Sequence, residues 1–563
     1  MIAKMLHLDL VCVASCRDEA LAKLRDLGAV HLDLSGACGE AVSAARGEAA
    51  DAEKAVRAIR RARGSAERGE TRPHPAAEVL ALDAEREKLE AEADELRRTI
   101  AAYEPYGDFD PALAKKLLDL GIDLSGVAEL PEKLPPARLS AMMARLERLQ
   151  TLASTASAKL AGCDERAILA KHPQIADRIA FEAAKELMAG DGALAGLSGW
   201  VPERCAGRLR AAAHESGWGL MLREPAPDET PPTLIEPPKM FRPVKVLFDG
   251  LGIAPAYRES DVSVPFMCYF SVFFAMLVGD GAYGALFLAA TLALRKRLER
   301  SWFVLLTVFS CATVLWGLLS NTWFGASLPW CAGWPSVRWL ADPSYGHMML
   351  LCFTIGASHL MLARIWNGIC RAPDSTALAE FGWAGVLLFM YFVTNSIVGI
   401  FDGVPRAVVW VFAVSLVLVF GFTVKPSELK TRGAELGMLP LNIMSALGDI
   451  ISYVRLFAVG LASVKVAENF NDMATGLVSS GNAWWLNAVL AVAMVAILAV
   501  GHGLNLVMAG LSILVHAVRL NTLEFSNHKG VSWAGYAFSP FRREAAGAST
   551  RYGTIQTSKG ANK

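Results

Sequence analysis

Gly448-Asp449-Ile450-Ile451-Ser452-Tyr453-Val454-Arg455-Leu456-Phe457-Ala458-Val459-Gly460-Leu461-Ala462 lies inside an apolar run over residues 440–468. That run exceeds the roughly 20 residues a helix needs to cross a bilayer. Arg455 stands in its middle. An arginine at bilayer centre costs at least about 2.5–3.5 kcal/mol and cannot lose its charge. Something must offset that cost. On a regular helix Gly448, Ser452, Val459 and Ala462 fall within about 60° of Arg455, so one fixed cation sits among small residues that allow another helix to approach closely. Ser445, Asp449 and Ser463 flank that face. The plainer alternative is a packing ion pair between Arg455 and Asp449. Intramembrane charges more often mark a pathway.

Seven further apolar runs surround this one, at about 264–279, 282–294, 301–320, 346–366, 381–401, 405–423 and 486–520. The expected fold is therefore an α-helical membrane domain of about eight transmembrane helices over residues 262–524. Its first two helices are short, and its last two are long enough to be strongly tilted. Arg295, Lys296, Arg297, Arg300, Arg371, Lys425, Lys430, Arg432, Lys529, Arg542 and Arg543 fall in alternate connections, whereas the intervening ones are nearly bare of basic charge. Both termini, including a tail over 525–563, are expected in the cytoplasm of a multi-pass cell-membrane protein.

The last run carries a second polar set. His502, Asn505, Ser512, His516 and Arg519 follow at spacings of three, seven, four and three, with Ala509 filling the missing step. A polar stripe on a membrane helix suggests a hydrated path, and satisfied polar packing between helices is the alternative. Histidine titrates near physiological pH and could carry a proton along it. Glu524 lies one further turn on. Glu468, at the end of the arginine run, and Asp449 are the next acidic candidates for an ion path.

The other half is different in kind. Lys and Arg number 55 and Asp and Glu 55 over 563 residues, so the net charge is zero. Residues 1–260 nevertheless hold 35 of those basic and 41 of those acidic residues, and only two of the 14 tryptophans. A soluble two-domain enzyme is thereby disfavoured, and a disordered chain or a disulfide scaffold is excluded. Residues 1–240 read as a soluble α+β and coiled-coil arm, followed by a linker over 241–261. Two small α/β lobes are expected at its ends. Met5–Ala14 alternates as a strand, 17–27 has helical spacing, and 29–34 reads as a second strand. Ser198-Gly199-Trp200-Val201-Pro202, a helix near 203–216 and 218–222 form the other lobe. Charged helices over 40–63, 78–103, 137–160 and 163–189 have narrow leucine seams, as coiled coils do. They favour an elongated arm over a compact regulatory domain.

Several chemistries are not indicated. None of the ten cysteines forms a CxxC pair, so neither a zinc site nor a disulfide framework is expected. Val13-Ala14-Ser15-Cys16 looks like a lipoprotein cleavage box, but His7 and Asp9 interrupt the apolar core a signal peptide requires. Gly279-Asp280-Gly281-Ala282-Tyr283-Gly284 matches GxGxxG by letter. It lies between two membrane runs without a βαβ unit, so a glycine turn explains it better than a dinucleotide site. No Walker A sequence occurs, so no ATP site, cofactor or metal is expected in this chain.

The arginine stretch resembles the arginine helix of the membrane stator subunit of V/A-type rotary ATPases (subunit a, or I in prokaryotes). The resemblance continues in His516-Ala517-Val518-Arg519-Leu520 with Glu524-Phe525, in the Gly279–Gly284 motif and in Trp316-Gly317-Leu318-Leu319 with Phe324-Gly325. It recurs in Gly199-Trp200-Val201-Pro202 and in Phe538-Ser539-Pro540-Phe541-Arg542. It implies a stator whose membrane half forms two ion half-channels against a rotating ring of c subunits and couples ion movement, of protons by expectation, to ATP hydrolysis or synthesis. Arg455 would meet the ring carboxylate, with Arg519 as its partner. Ser452, Ser463 and the polar stripe would line the path. The arm would grip peripheral stalks leading to the ATPase head. Lipid and no nucleic acid would be the other contacts. Many eukaryotic members carry a histidine where this chain has Ser463 and a glutamate where it has Ala509. A secondary transporter or channel with a cytoplasmic regulatory domain is the competing reading. It would call for an internal repeat with a midplane substrate site, and no repeat is apparent.

Overall fold

The computed structural model describes residues 2–64, 72–120, 133–188, 190, 192–340, 345–425, 429–477 and 484–543. The side chains of Lys430 and Arg432 and the tail beyond Arg543, read above as cytoplasmic, lie outside the described residues. The described residues are mostly helical, with one small sheet. It divides into two units: Met5–Pro225 with Ser539–Lys563, and Met1–Lys4 with Ala226–Phe538.

In the first unit, β1 (Met5–Val13) pairs antiparallel with β2 (Leu194–Pro202) on one side and β3 (Gly219–Arg223) on the other. Leu8 lies opposite Gly199 and Leu222, and Leu10 opposite Leu197 and Leu220. The alternation of β1 buries Leu8, Leu10 and Cys12 and leaves Val11 and Val13 exposed. The two expected lobes are therefore one sheet. Two strands alone are marginal in water, and the third completes the layer. Residues 29–34 do not form the expected second strand of a separate lobe. They contribute one bridge, in which His31 and Trp200 exchange N–H···O bonds of 2.8 and 2.9 Å. Gly199 must be glycine at this crossing, since a Cβ there would meet the His31 carbonyl oxygen at 2.7 Å. The tail returns to this sheet: Phe541 is buried among Leu8, Leu24, Val30 and Leu209.

The charged stretches form the helices Glu40–Arg63, Ala76–Tyr103, Leu139–Ala161 and His172–Leu187. Ala55, Ile59, Val79, Leu160 and Ile175 make their shared core. Leu82 lies at its margin, and half-buried Arg86 pairs with Asp83 and with the more exposed Glu90.

Among the described residues the second unit contains five helices long and apolar enough to cross a membrane: Arg300–Ser320, Gly346–Arg371, Thr376–Ile397, Leu436–Thr475 and Val489–Lys529. This is the composition of a membrane protein. The first two apolar runs differ from two independent spans. Ser263–Val278 and Gly281–Ala293 form a pair bent by 118°, a broken span or a re-entrant loop. Arg406–Phe422 is apolar but shorter than the five.

The GxGxxG motif makes the bend. Gly279 ends the first limb at φ 72°, and Asp280 caps the second by accepting from Ala282 N–H at 2.8 Å. The other Asp280 oxygen accepts from Gly325 N–H at 2.8 Å. A Cβ on Gly317 would come within 2.2 Å of the Gly281 Cα, so the limb Gly281–Ala293 lies directly on Arg300–Ser320. Small residues permit that approach without lipid between the helices. Phe266, Phe270, Phe273, Phe353 and Tyr453 form the core beneath.

Candidate functional site

The arginine helix, Leu436–Thr475, is interrupted near its middle. Leu429–Ile451 stops, Ser452 and Tyr453 turn, and Val454–Thr475 begins. A turn inside an apolar segment frees backbone carbonyls, which must find donors. Arg455, in the first turn after the break, supplies one: its Nε donates to the Ser452 carbonyl at 2.9 Å. Ser452 Oγ donates to the Asp449 carbonyl at 2.7 Å. Both side chains thus hold the break.

The far end of Arg455 reaches the last helix. Its Nη2 donates to Glu524 Oε1 at 2.6 Å, and Arg519 Nε donates to the same oxygen at 3.4 Å. The two sequence-identified arginines are therefore brought together by one carboxylate. Glu524 is 5% exposed, whereas the side chains of Arg455 and Arg519 are 23% and 54% exposed. Backbone geometry explains this placement. Trp484–Ser512 is α-helical, but Ile513–Ala517 and Leu520–Phe525 are π-helical. Each added residue per turn rotates the downstream side chains by about 100° relative to an α-helix. A strict count from Asn505 points Arg519 inward and Glu524 aside. The π turns expose the first and bury the second.

Asp449 does not pair with Arg455. Its Oδ2 bonds His528 Nε2 at 3.0 Å. Arg364 Nε, which can only donate, reaches His528 Nδ1 at 3.0 Å. His528 is therefore the Nε2–H tautomer, donating to Asp449. Arg364 continues to Glu380 at 3.1 Å, and Arg371 binds the other Glu380 oxygen at 2.8 Å. Sequence reading missed this chain of contacts, although Arg364 and Glu380 were visible as charges in or beside apolar runs. Asp449, His528, Arg364, Asn442 and Ser445 line a cavity of about 650 Å³.

The upper stripe forms a second network. Asn505 accepts from Ser463 Oγ at 3.0 Å and donates to the Ser463 carbonyl at 2.9 Å and to Tyr283 Oη at 3.1 Å. Tyr283 Oη lies 2.7 Å from His502 Nδ1, and His502 Nε2 lies 3.2 Å from Asn471 Oδ1. Asn471 in turn donates to the Phe324 carbonyl. Tyr283 was not anticipated, because its motif signals only a turn. Ala509 is buried beside Tyr283 and Val278. Ser512 and His516 are half-buried below this network, and no partner among the described residues reaches His516 Nδ1. Glu468 pairs with Lys465 at 2.6 Å, and both line a cavity of about 250 Å³ with Gly460, Leu456 and Thr322. Among the described residues no cluster of His, Cys, Asp and Glu could hold a metal ion.

No family model matches the chain. It is 32% identical over 370 residues to V-type ATP synthase subunit I of Borreliella burgdorferi, an alignment covering 62% of this chain and 60% of the relative. Against V-type ATP synthase subunit I 1 of Treponema pallidum identity is 28% over 632 residues, covering 96% of this chain and 100% of the relative. Against A-type ATP synthase subunit I of Methanocaldococcus jannaschii it is 24% over 388 residues, covering 62% and 54%. The chain thus aligns with about three-fifths of the first relative, the whole of the second and about half of the third. The near full-length alignment spans both units described above, and on it the chain belongs to the subunit I family of V-type and A-type ATP synthases.

Proposed function

We propose that this chain is the membrane stator of a rotary ATPase, and that Arg455 meets the ion-carrying carboxylate of a rotating c ring. The observation that carries this reading is the arginine–glutamate cluster, whose Arg455 falls along the chain between residues lining two separate cavities. Asp449 lines one cavity and Glu468 the other. They are 19 residues apart, about 28 Å at 1.5 Å per residue, close to the roughly 30 Å thickness of a hydrocarbon core. Arg455 lies between them in sequence and lines neither.

In this reading the two cavities are half-channels. The one at Asp449 and His528 opens to the cytoplasm, and the one at Glu468 to the opposite side. Val464, which follows Ser463 of the Ser463–Asn505–Tyr283–His502 network, lines the second. A ring carboxylate arriving protonated meets a fixed cation, which favours the ionised form and releases the proton. The same charge repels a proton crossing directly from one half-channel to the other. Net transfer then requires the ring to turn.

The surface available for the ring is the last helix. Val500, Leu504, Val507, Leu511 and Leu514 are exposed at spacings of four, three, four and three, with exposed Arg519 beyond them. That is the spacing of a face packed against neighbouring helices. The expected assembly has eight membrane helices, counting the limbs of the bent pair separately. Its residues 1–240 act as a cytoplasmic arm on peripheral stalks that lead to the ATPase head. Both termini are cytoplasmic in this arrangement. Affinity purification of the tagged chain from native membranes tests it. A c ring and an ATPase head should accompany the chain, and a cysteine at Leu511 should cross-link to a ring helix. Recovery of the chain alone under conditions that keep such complexes intact would refute it.

A further inference from the structure

We propose that Glu524 is a positioning residue that sets the arginine site to a net charge of one positive unit, so that it captures one ionised carboxylate and can still release it. This rests on the role proposed above for Arg455. Both guanidiniums are permanently charged. Both donate to the same Glu524 oxygen, at 2.6 and 3.4 Å. The sum of the three groups is one positive charge. Asp449 and Glu468 are not part of this cluster, because Asp449 bonds His528 and Glu468 pairs with Lys465.

The geometry is not that of a closed structural ion pair, in which the remaining lone pairs would also be satisfied. No donor among the described residues reaches Glu524 Oε2, although that atom is buried. One carboxylate is divided between two cations, and Arg519, the longer-bonded, is also the more exposed. Both arginines are therefore under-neutralised, and together they lack one negative charge. A single ring carboxylate supplies it and brings the site to zero. Glutamate at 524 also weakens that attachment, since a like charge stays behind when the carboxylate arrives. Without it the site carries two positive charges and holds the carboxylate too long. Without Arg519 but with Glu524 the site is neutral and does not hold it at all.

The test uses the complete complex in sealed vesicles, measuring ATP-driven proton uptake at saturating ATP and passive proton leak without ATP. Glu524→Gln should lower uptake about tenfold, the effect of one unit charge at roughly 10 Å in a medium of effective dielectric about 20, and leave the vesicles tight. Arg519→Gln should instead raise the leak. The double variant Glu524→Gln/Arg519→Gln restores the single positive charge, and its uptake should exceed that of Glu524→Gln by about threefold or more. A merely structural Glu524 gives the opposite order, with the double variant no better than the single one. That order, or wild-type uptake in Glu524→Gln, overturns the inference. If Glu524→Gln fails to assemble, assembly becomes the readout: the double variant must assemble where the single does not, and failure of both overturns it. Arg455→Ala separates the two claims. Normal pumping by that variant removes the proposed function itself, whereas a dead Arg455→Ala with an unrescued double variant removes only the role of Glu524.

Discussion

Replacing Tyr283 by phenylalanine removes one oxygen from the centre of the Asn505–Tyr283–His502 network and nothing else. In the present geometry Asn505 Nδ2 donates to that oxygen at 3.1 Å, so the tyrosine hydrogen is free to donate to His502 Nδ1 at 2.7 Å. His502 is then the Nε2–H tautomer and donates to Asn471 Oδ1 at 3.2 Å. All donors point the same way, towards Asn471. A proton reaching His502 Nδ1 must therefore turn the tyrosine hydroxyl. In Tyr283→Phe this coupling is gone, and the imidazole is fixed on one side only. The stability cost is moderate. Asn505 keeps its bonds to Ser463 but loses the acceptor for one buried N–H, worth about 1–3 kcal/mol, and half-buried His502 can bond water instead. Thermal unfolding of the purified complex should shift by a few degrees at most, while ATP-driven proton uptake should fall severalfold. Unfolding as expected with wild-type uptake would show that the network only packs helices together.

Two further perturbations test the frame and the tail. Gly317→Ala places a methyl 2.2 Å from the Gly281 Cα, so the bent pair must separate from Arg300–Ser320 at a cost of about 1–3 kcal/mol. Its unfolding temperature should drop well below that of Gly333→Ala, where a Cβ meets nothing within 4 Å, and equal melting would refute the close approach. In the other unit, Ser539 N–H donates to His31 Nδ1 at 3.0 Å, which favours the neutral ring, and burial lowers the pKa of His31 against the opposing pull of the Ser539 carbonyl oxygen 2.9 Å from the same nitrogen. A histidine with a depressed folded pKa adds stability that is fully present above its unfolded value of about 6.5 and is lost as pH falls below it. Amide exchange at Phe541, which donates to the Val30 carbonyl at 2.7 Å, should therefore accelerate below pH 6.5 after correction for intrinsic rates, and His31→Leu should remove that dependence. A wild-type protection that stays flat to pH 5 would contradict it.

The arginines were legible because a charge in an apolar run is too costly to be incidental. The same rule applied to Arg364 and Glu380 would have found the Asp449–His528 network, whose members come from distant parts of the chain. Other features had no local signal. Ser452 and Tyr453 break the arginine run although neither is a helix breaker, while Pro440, the obvious breaker, sits inside a helix. The π turns at Ile513–Ala517 and Leu520–Phe525 change the phase of the last helix, so a 3.6-residue period assigns Arg519 and Glu524 to the wrong faces. Tyr283 stands in a motif whose glycines explain the bend and hide the hydroxyl. The union of the two expected lobes depends on β1 pairing with strands far away in the sequence, and alternation within β1 fixes which face is buried but not its partners.

Arg455→Ala in the assembled complex, with ATP hydrolysis and proton uptake followed in the same vesicles, measures the central claim most directly. Arg519 still neutralises Glu524 in this variant, at 3.4 Å, so the membrane unit should fold and co-purify with its partners. Proton uptake should nevertheless be abolished, because no fixed cation remains in the Arg455 position to discharge the ring carboxylate. Uptake at more than about half the wild-type rate by an assembled Arg455→Ala complex would contradict a stator built on this cation, since a fixed charge discharging the carboxylate is worth several factors of ten at these distances.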